Sequence, residues 1–318
     1  MNDKTVVLNA GLVNYDGKID YSTIASDVTI YDYTPEDKIL ERVQGFDIVV
    51  TKEMKVSKEI IRKFPNSVKM IIEAGTGYNN LDIEAIREKG IILTNIPAYS
   101  TQRVAQTGAM LMLALASTLQ KQIRMLAANN YDNFQKHLMV DHVELNDKTL
   151  GVIGYGNTGK ELIRIARAMD MNILVSTRTP REDFDGVKFT TLEDVLKNSD
   201  FVSLNCPLTE KTKHLINKET LAMMKPSAYL INTARGPIVK EADLIEALNN
   251  NVIAGAGLDV QEVEPLPLDS PLYKMENVII TPHIGWRGLE TRQRLINLIA
   301  KNVEAYSKGE PINRVDNI

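Results

Sequence analysis

The sequence predicts an α/β protein built on parallel sheets, and three patterns carry that prediction. Short apolar runs of strand length recur through the first hundred residues with helical patterns between them. Similar runs recur from Leu150 onward, each ending in a polar or glycine-containing loop. In TLGVIGYGNTGKELIRIARAM, Thr149 to Met169, the apolar period switches from strand to helix across three glycines. Strands that alternate with helices imply right-handed crossovers, which cover a parallel sheet on both faces. At 318 residues the chain is long enough for two domains, each with its own core.

Taken in order, residues 4–9, 28–31, 47–50, 69–73 and 91–94 read as short buried strands of a first α/β domain. AGTGYNNLD follows the fourth of them, with Gly75, Thr76 and Gly77 at the carboxyl end of a strand, where open α/β sheets bind ligands. Accessible backbone N–H groups at Gly75 and Gly77 suit a ligand, but the local sequence by itself favours a plain turn before a helix starting near Asp82. From Ser100 to Asn129 runs one long helical pattern, apolar nearly all round at its centre, which suits a domain link and a subunit contact. YDNFQKHLMVDHVEL, which follows, has no clear period. Its His137 and His142 lack the neighbours that would complete a metal site.

The glycine stretch is the centre of the reading. Leu150, Val152 and Ile153 suit a buried strand, and Leu162, Ile163, Ile165 and Ala166 recur at helical spacing. Gly154, Gly156 and Gly159 fit G-x-G-x-x-G, whose glycines allow a tight turn, close approach of a pyrophosphate, and packing of helix on strand. Tyr155, Asn157 and Thr158 fill the positions between them, and the free N–H groups of the helix start face the anion. The next strand, 172–176, ends at Thr177-Arg178, where an acidic residue is usual in such units. Further strands at 200–204, 228–232, 253–258 and 277–280 lead into NCPLT, NTARGP, LDVQEVEPLP and TPHIGW. Parallel strands gather these loops at the edge that carries Gly154.

Composition narrows the function. A net charge of −4 and a pI near 5.7 argue against a nucleic-acid partner, and a small anionic substrate would need a local positive pocket. One cysteine, Cys206, rules out an internal disulfide framework and fits a reducing cytoplasm. The N-terminus shows no signal-peptide pattern, and the apolar run from Gly108 to Ala116 falls short of the ~20 residues that span a bilayer.

Arg235, Glu264 and His283 lie on separate loops at that edge. Singly, each reads as a solvated charge or a loop histidine. Together they suit hydride chemistry on a carbonyl beside a carboxylate. A guanidinium fork grips the carboxylate, and an imidazole supplies the proton. A carboxylate on the other ring nitrogen fixes the tautomer.

TLGVIGYGNTG, NTARGPIV, GLDVQEVEPLP and TPHIGW resemble the cofactor fingerprint and catalytic loops of the D-isomer-specific 2-hydroxyacid dehydrogenases, and the resemblance covers nearly the whole chain. HIGWRGLETRQRL resembles the glycerate dehydrogenase and hydroxypyruvate reductase branch. The resemblance implies an α/β fold of two Rossmann-like domains with parallel sheets. A flavodoxin-like substrate domain takes residues 1–99 and 290–318, and a dinucleotide-binding domain takes residues 100–289, with the active site in the cleft between them. It implies that Arg235 binds the substrate carboxylate, that Glu264 pairs with His283, and that His283 is the acid/base. It turns Gly75, Thr76 and Gly77 from a plain turn into substrate contacts. Thr233, Ala234 and Asp259 match positions on the nicotinamide side, and Cys206-Pro207 match a loop beside its ribose. Two departures stand out: Thr158 where isoleucine is commoner, and Thr177 in place of the acidic residue. Thr177, Arg178 and Arg181 favour NADP over NAD, since they offer donors to a phosphate and no repelling charge. The expected protein is a cytoplasmic homodimer that reduces a small 2-keto acid, hydroxypyruvate or glyoxylate foremost, with no nucleic-acid or membrane partner. Alternatives are a short phosphoglycerate or D-lactate dehydrogenase and, from another class, a dinucleotide-sensing regulatory protein.

Overall fold

The computed structural model describes residues 3–179 and 181–317. The chain separates into two units, Met1–Ser100 with Arg287–Ile318, and Thr101–Trp286.

The sheet of the first unit comprises β1 (Thr5–Val7), β2 (Val28–Ile30), β3 (Ile48–Thr51), β4 (Met70–Glu73) and β5 (Ile92–Thr94). All pair in parallel, in the order β2-β1-β3-β4-β5, the arrangement of flavodoxin-like sheets. The apolar runs form strands because both faces are covered: Val49, Ile71 and Leu93 are buried in one cluster with Ile61 and Ile86. Asp82 caps the helix Ile83–Glu88 by accepting from the Ala85 N–H. The C-terminal helix Leu289–Ser307 buries Leu295, Ile296 and Ile299. Near its start Arg292, 3% exposed, grips both carboxylate oxygens of Asp16 at 2.8 and 2.7 Å and donates to the Val13 carbonyl.

The second unit holds β6 (Thr149–Ile153), β7 (Asn172–Ser176), β8 (Val187–Phe189), β9 (Phe201–Leu204), β10 (Tyr229–Asn232), β11 (Gly255–Leu258) and β12 (Val278–Ile280). These pair in parallel in the order β12-β11-β10-β9-β6-β7-β8. The chain starts at the centre, runs out one way through β7 and β8, then returns to β9 and runs out the other way. That reversal between β6 and β9 is a topological switch point, the place where open α/β sheets bind ligands.

Two local expectations change. The helical pattern of residues 100–129 is broken into helices Thr101–Ala116 and Leu119–Ala127. At the break Thr118 takes a left-handed φ of 48°, its hydroxyl donates to the Asp141 carbonyl, and the Val143 N–H takes the Ala116 carbonyl. A returning segment thus caps a helix whose apolar pattern runs on. The strand β8 was not expected, because three residues at a sheet edge, with Lys188 exposed at their centre, leave no apolar run to read. Among the described residues no helix is long and apolar enough to cross a membrane.

Candidate active site

Register aligns the site. Ser176, Ile153, Leu204, Asn232, Leu258 and Ile280 stand in one row across β7, β6, β9, β10, β11 and β12. The residues that follow them, Thr177, Gly154, Asn205, Thr233, Asp259 and Thr281, therefore begin their loops side by side.

At the switch point each glycine has its own reason. Gly154 has φ of 102°, and a Cβ there would lie 2.6 Å from the backbone nitrogen of Cys206. A Cβ on Gly159 would lie 2.5 Å from the Gly154 carbonyl oxygen, so this glycine sets how closely the helix Asn157–Arg167 packs on its strand. Gly156 differs: its backbone is extended and a Cβ would meet nothing within 4 Å. Nothing among the described residues demands a glycine there. A backbone surface kept bare at a helix N-terminus beside Asn157 and Thr158 fits the pyrophosphate of a dinucleotide. Tyr155 packs edge-on against Phe189 at 5.1 Å, with Lys160 and Arg181 5.2 and 5.3 Å from its ring centre. Thr177 is half-buried and Arg178 exposed. Cys206 is half-buried and Pro207 exposed; burial pushes the Cys206 thiol up to about 11, which leaves it protonated at neutral pH and unfit as a nucleophile.

Beyond β10 the buried Asn232 shapes the Thr233–Arg235 turn. Its Oδ1 accepts from the Ala234 N–H at 3.1 Å, and its Nδ2 donates to the Arg235 carbonyl at 3.0 Å. Arg235 is half-buried and donates from Nη1 to the Ala234 carbonyl at 2.7 Å. A Cβ on the next residue, Gly236, would sit 1.7 Å from the Gln261 carbonyl oxygen, so the Arg235 turn lies directly on the loop that carries Glu264.

His283 takes a left-handed φ of 52°, and Asp259, 1% exposed, holds the loop around it. The Asp259 carboxylate accepts from the Thr281 hydroxyl at 2.6 Å and from the Ile284 and Gly285 N–H groups at 2.9 and 2.8 Å; its carbonyl accepts from the His283 N–H. The Asp259 carboxylate thus fixes the loop that carries His283. His283 Nδ1 lies 2.9 Å from Glu264 Oε2, and Glu264 Oε1 accepts from the Gln261 N–H at 3.1 Å. A carboxylate at Nδ1 keeps the proton on that nitrogen and leaves Nε2 as the end that exchanges one.

In the first unit Gly75, Thr76 and Gly77 follow β4. The Gly75 N–H, expected to be accessible, is taken by the Glu73 carbonyl at 2.8 Å, because the chain doubles back immediately after the strand. The atoms nearest a Cβ on Gly75 would be the ends of two side chains, Glu73 Oε1 at 3.3 Å and Lys52 Nζ at 3.4 Å. His137 and His142 are exposed, and no group that could hold a metal ion occurs among the described residues. His214 escaped the sequence reading although its Nε2 lies 2.6 Å from Glu262 Oε1; KTKHLIN carries no pattern that points to a partner so far along the chain.

Residues 109–285 match the family model of the D-isomer specific 2-hydroxyacid dehydrogenase NAD binding domain. The chain is 34% identical to a hydroxypyruvate reductase of Blautia hydrogenotrophica over 98% of this chain and 99% of that protein. It is 38% identical to a glyoxylate reductase of Thermococcus litoralis over 89% of this chain and 87% of that protein. Among solved structures it is similar to an NADPH-dependent glyoxylate/hydroxypyruvate reductase of Sinorhizobium meliloti in complex with NADP and malonate. That pair has 26% identity and a TM-score of 0.85, covering 99% of this chain and 97% of the other.

Proposed function

The chain belongs to the D-isomer-specific 2-hydroxyacid dehydrogenases, oxidoreductases that use a nicotinamide dinucleotide, and within that family we propose that it reduces glyoxylate or hydroxypyruvate to the D-2-hydroxy acid. The observation that carries the residue roles is the His283–Glu264 pair, bonded through Nδ1 on a loop that Asp259 fixes. A bound reduced nicotinamide supplies the hydride. Arg235 holds the substrate carboxylate with its planar fork. His283 delivers a proton from Nε2 to the carbonyl oxygen as negative charge develops there. Glu264 holds the imidazole in position and fixes its tautomer. Gly154, Gly156 and Gly159 with the helix N-terminus hold the pyrophosphate. Thr233, Ala234, Cys206 and Pro207 line the cofactor through their backbone.

NADP is the preferred cofactor in this reading. Thr177 has no charge to repel a 2′-phosphate, the exposed Arg178 follows it, and Arg181 stands beside Tyr155. A hydrogen bond to a charged group contributes about 1.5–3 kcal/mol, so NADPH should be favoured about tenfold to a hundredfold. Two copies associate through the exposed apolar side chains of Leu119, Ile123, Leu126, Phe134 and Leu138, which sedimentation equilibrium tests directly. The single thiol suits a reducing cytoplasm.

The deciding experiment is a panel of 2-keto acids assayed with NADH and NADPH, on the parent and on His283→Ala. The parent should turn over glyoxylate or hydroxypyruvate, faster per unit Michaelis constant with NADPH. His283→Ala should lose about a hundredfold or more in kcat while binding cofactor as before. Near-parental turnover in His283→Ala would remove the proton-transfer role, and an inactive parent across the panel would remove the substrate class.

A further inference from the structure

A second histidine–carboxylate pair lies two residues from the first. His214 Nε2 meets Glu262 Oε1 at 2.6 Å, both side chains being about a third exposed, while Glu264 meets His283. The ring ends differ. His283 bonds its carboxylate through Nδ1, which leaves Nε2, at the tip of the ring, for chemistry. His214 bonds through the tip itself, so the end of the ring that reaches furthest is occupied. The same residue types therefore do different work.

The rest of the wiring shows what is joined. The His214 N–H donates to the Pro237 carbonyl, the Ile216 N–H to the Ile238 carbonyl, and the Lys240 N–H back to the Ile216 carbonyl, which ties this segment to the turn after Arg235. The second oxygen of Glu262 accepts from the Glu241 N–H at 2.8 Å, at the open N-terminus of the helix Glu241–Asn249. The Glu262 N–H in turn meets the Glu241 carboxylate at 3.3 Å. One carboxylate thus joins three loops, those after β9, β10 and β11. Its chain neighbour Gln261 supports Glu264 from one side and lies against Gly236 on the other.

We propose that His214 and Glu262 are positioning residues that set the Arg235 turn and the Glu264 loop in register with one another. This rests on the roles assigned above to Arg235, Glu264 and His283. Removing the imidazole lets the Glu262 loop drift from the turn beyond Arg235, and a shift of a fraction of an ångström at either residue misplaces the carbonyl relative to the proton donor. Among the described residues no hydrogen bond of the His214 or Glu262 side chain reaches the glycine turn at Gly154.

Three variants test it: His214→Ala, His214→Gln and Glu262→Gln, assayed beside the parent and His283→Ala. His214→Ala should lose about tenfold to a hundredfold in kcat/KM for the keto acid, with the KM for the acid raised and NADPH affinity by fluorescence titration unchanged. His214→Gln, which restores a donor at the same reach, should recover most of that loss. A crystal structure of His214→Ala should show the Glu264–His283 separation longer than in the parent. Parental kcat/KM in His214→Ala, an unchanged Glu264–His283 separation, or a His214→Gln as impaired as the alanine variant would each overturn the proposal. Should His214→Ala fail to fold, Glu262→Gln, which keeps the size and loses the charge, is read against the same expectations. Loss of activity in His283→Ala with none in the His214 and Glu262 variants defeats this proposal alone, whereas activity retained in His283→Ala defeats the reading beneath it.

Discussion

In the proposed reaction Arg235 is the carboxylate clamp, and the chain has already bent the backbone beneath it. Asn232, buried at the end of β10, bonds both sides of the turn, and the Ala234 carbonyl occupies one arm of the guanidinium. Arg235→Lys keeps the charge but replaces two parallel donors with a single mobile ammonium, so the KM for the keto acid should rise and kcat fall about tenfold or more as the carbonyl loses its orientation. Steady-state kinetics decide it, and parental values for both constants would release Arg235 from the role. The catalytic candidates were legible because each follows a strand end and has a side chain with distinctive chemistry. His214 and Asp259 were harder to place, since their work lies in hydrogen bonds to loops distant in sequence, and no local pattern records those.

At the scale of elements, the strand–turn–helix around Gly154 separates two demands that a sequence motif merges. Gly159 answers to the protein. Alanine is favoured over glycine inside a helix by about 1 kcal/mol, yet here its methyl would press on the Gly154 carbonyl at 2.5 Å, and overpacking against rigid backbone costs about 1–3 kcal/mol. Gly156 answers, in the proposed reading, to the ligand, since its Cβ would meet no atom of the described residues within 4 Å. Gly159→Ala should therefore lower the melting temperature, while Gly156→Ala should melt with the parent and bind cofactor about tenfold more weakly or worse. Thermal melts and a cofactor titration on the two variants check it; a Gly156→Ala that binds normally would show that the pyrophosphate does not pass over that residue. Most strands were readable as apolar runs because a doubly covered parallel sheet buries both faces. The end of the Thr101–Ala116 helix was not, because a segment returning from Asp141 to Val143 terminates it while Leu119, Ile123 and Leu126 continue the apolar pattern on an exposed surface.

Over the whole molecule, the first unit is assembled from both ends of the chain, and that circularity makes its stability depend on pH. Residues 1–100 supply the sheet, and the helix Leu289–Ser307 returns to complete the unit through Arg292. The Arg292 side chain is 3% exposed, and its guanidinium lies 4.4 Å from the Tyr15 ring centre and takes both oxygens of Asp16. Its hydrogen bonds hold the Asp16 carboxyl down at about 2, below the ordinary carboxylate value. The sign follows directly. A carboxyl whose folded value is depressed favours the folded state above its unfolded value, near 3.9, and that contribution disappears as the pH falls toward 2 and the group protonates in both states. Asp16→Asn should therefore melt at a lower temperature than the parent at pH 7, because a buried guanidinium loses its charged partner. The gap between the two should narrow steadily as the pH is lowered from about 4 toward 2. Melting curves across that range provide the measurement; a gap that stays constant with pH would mean that Asp16 acts through packing, and that the two ends of the chain are held together without its charge.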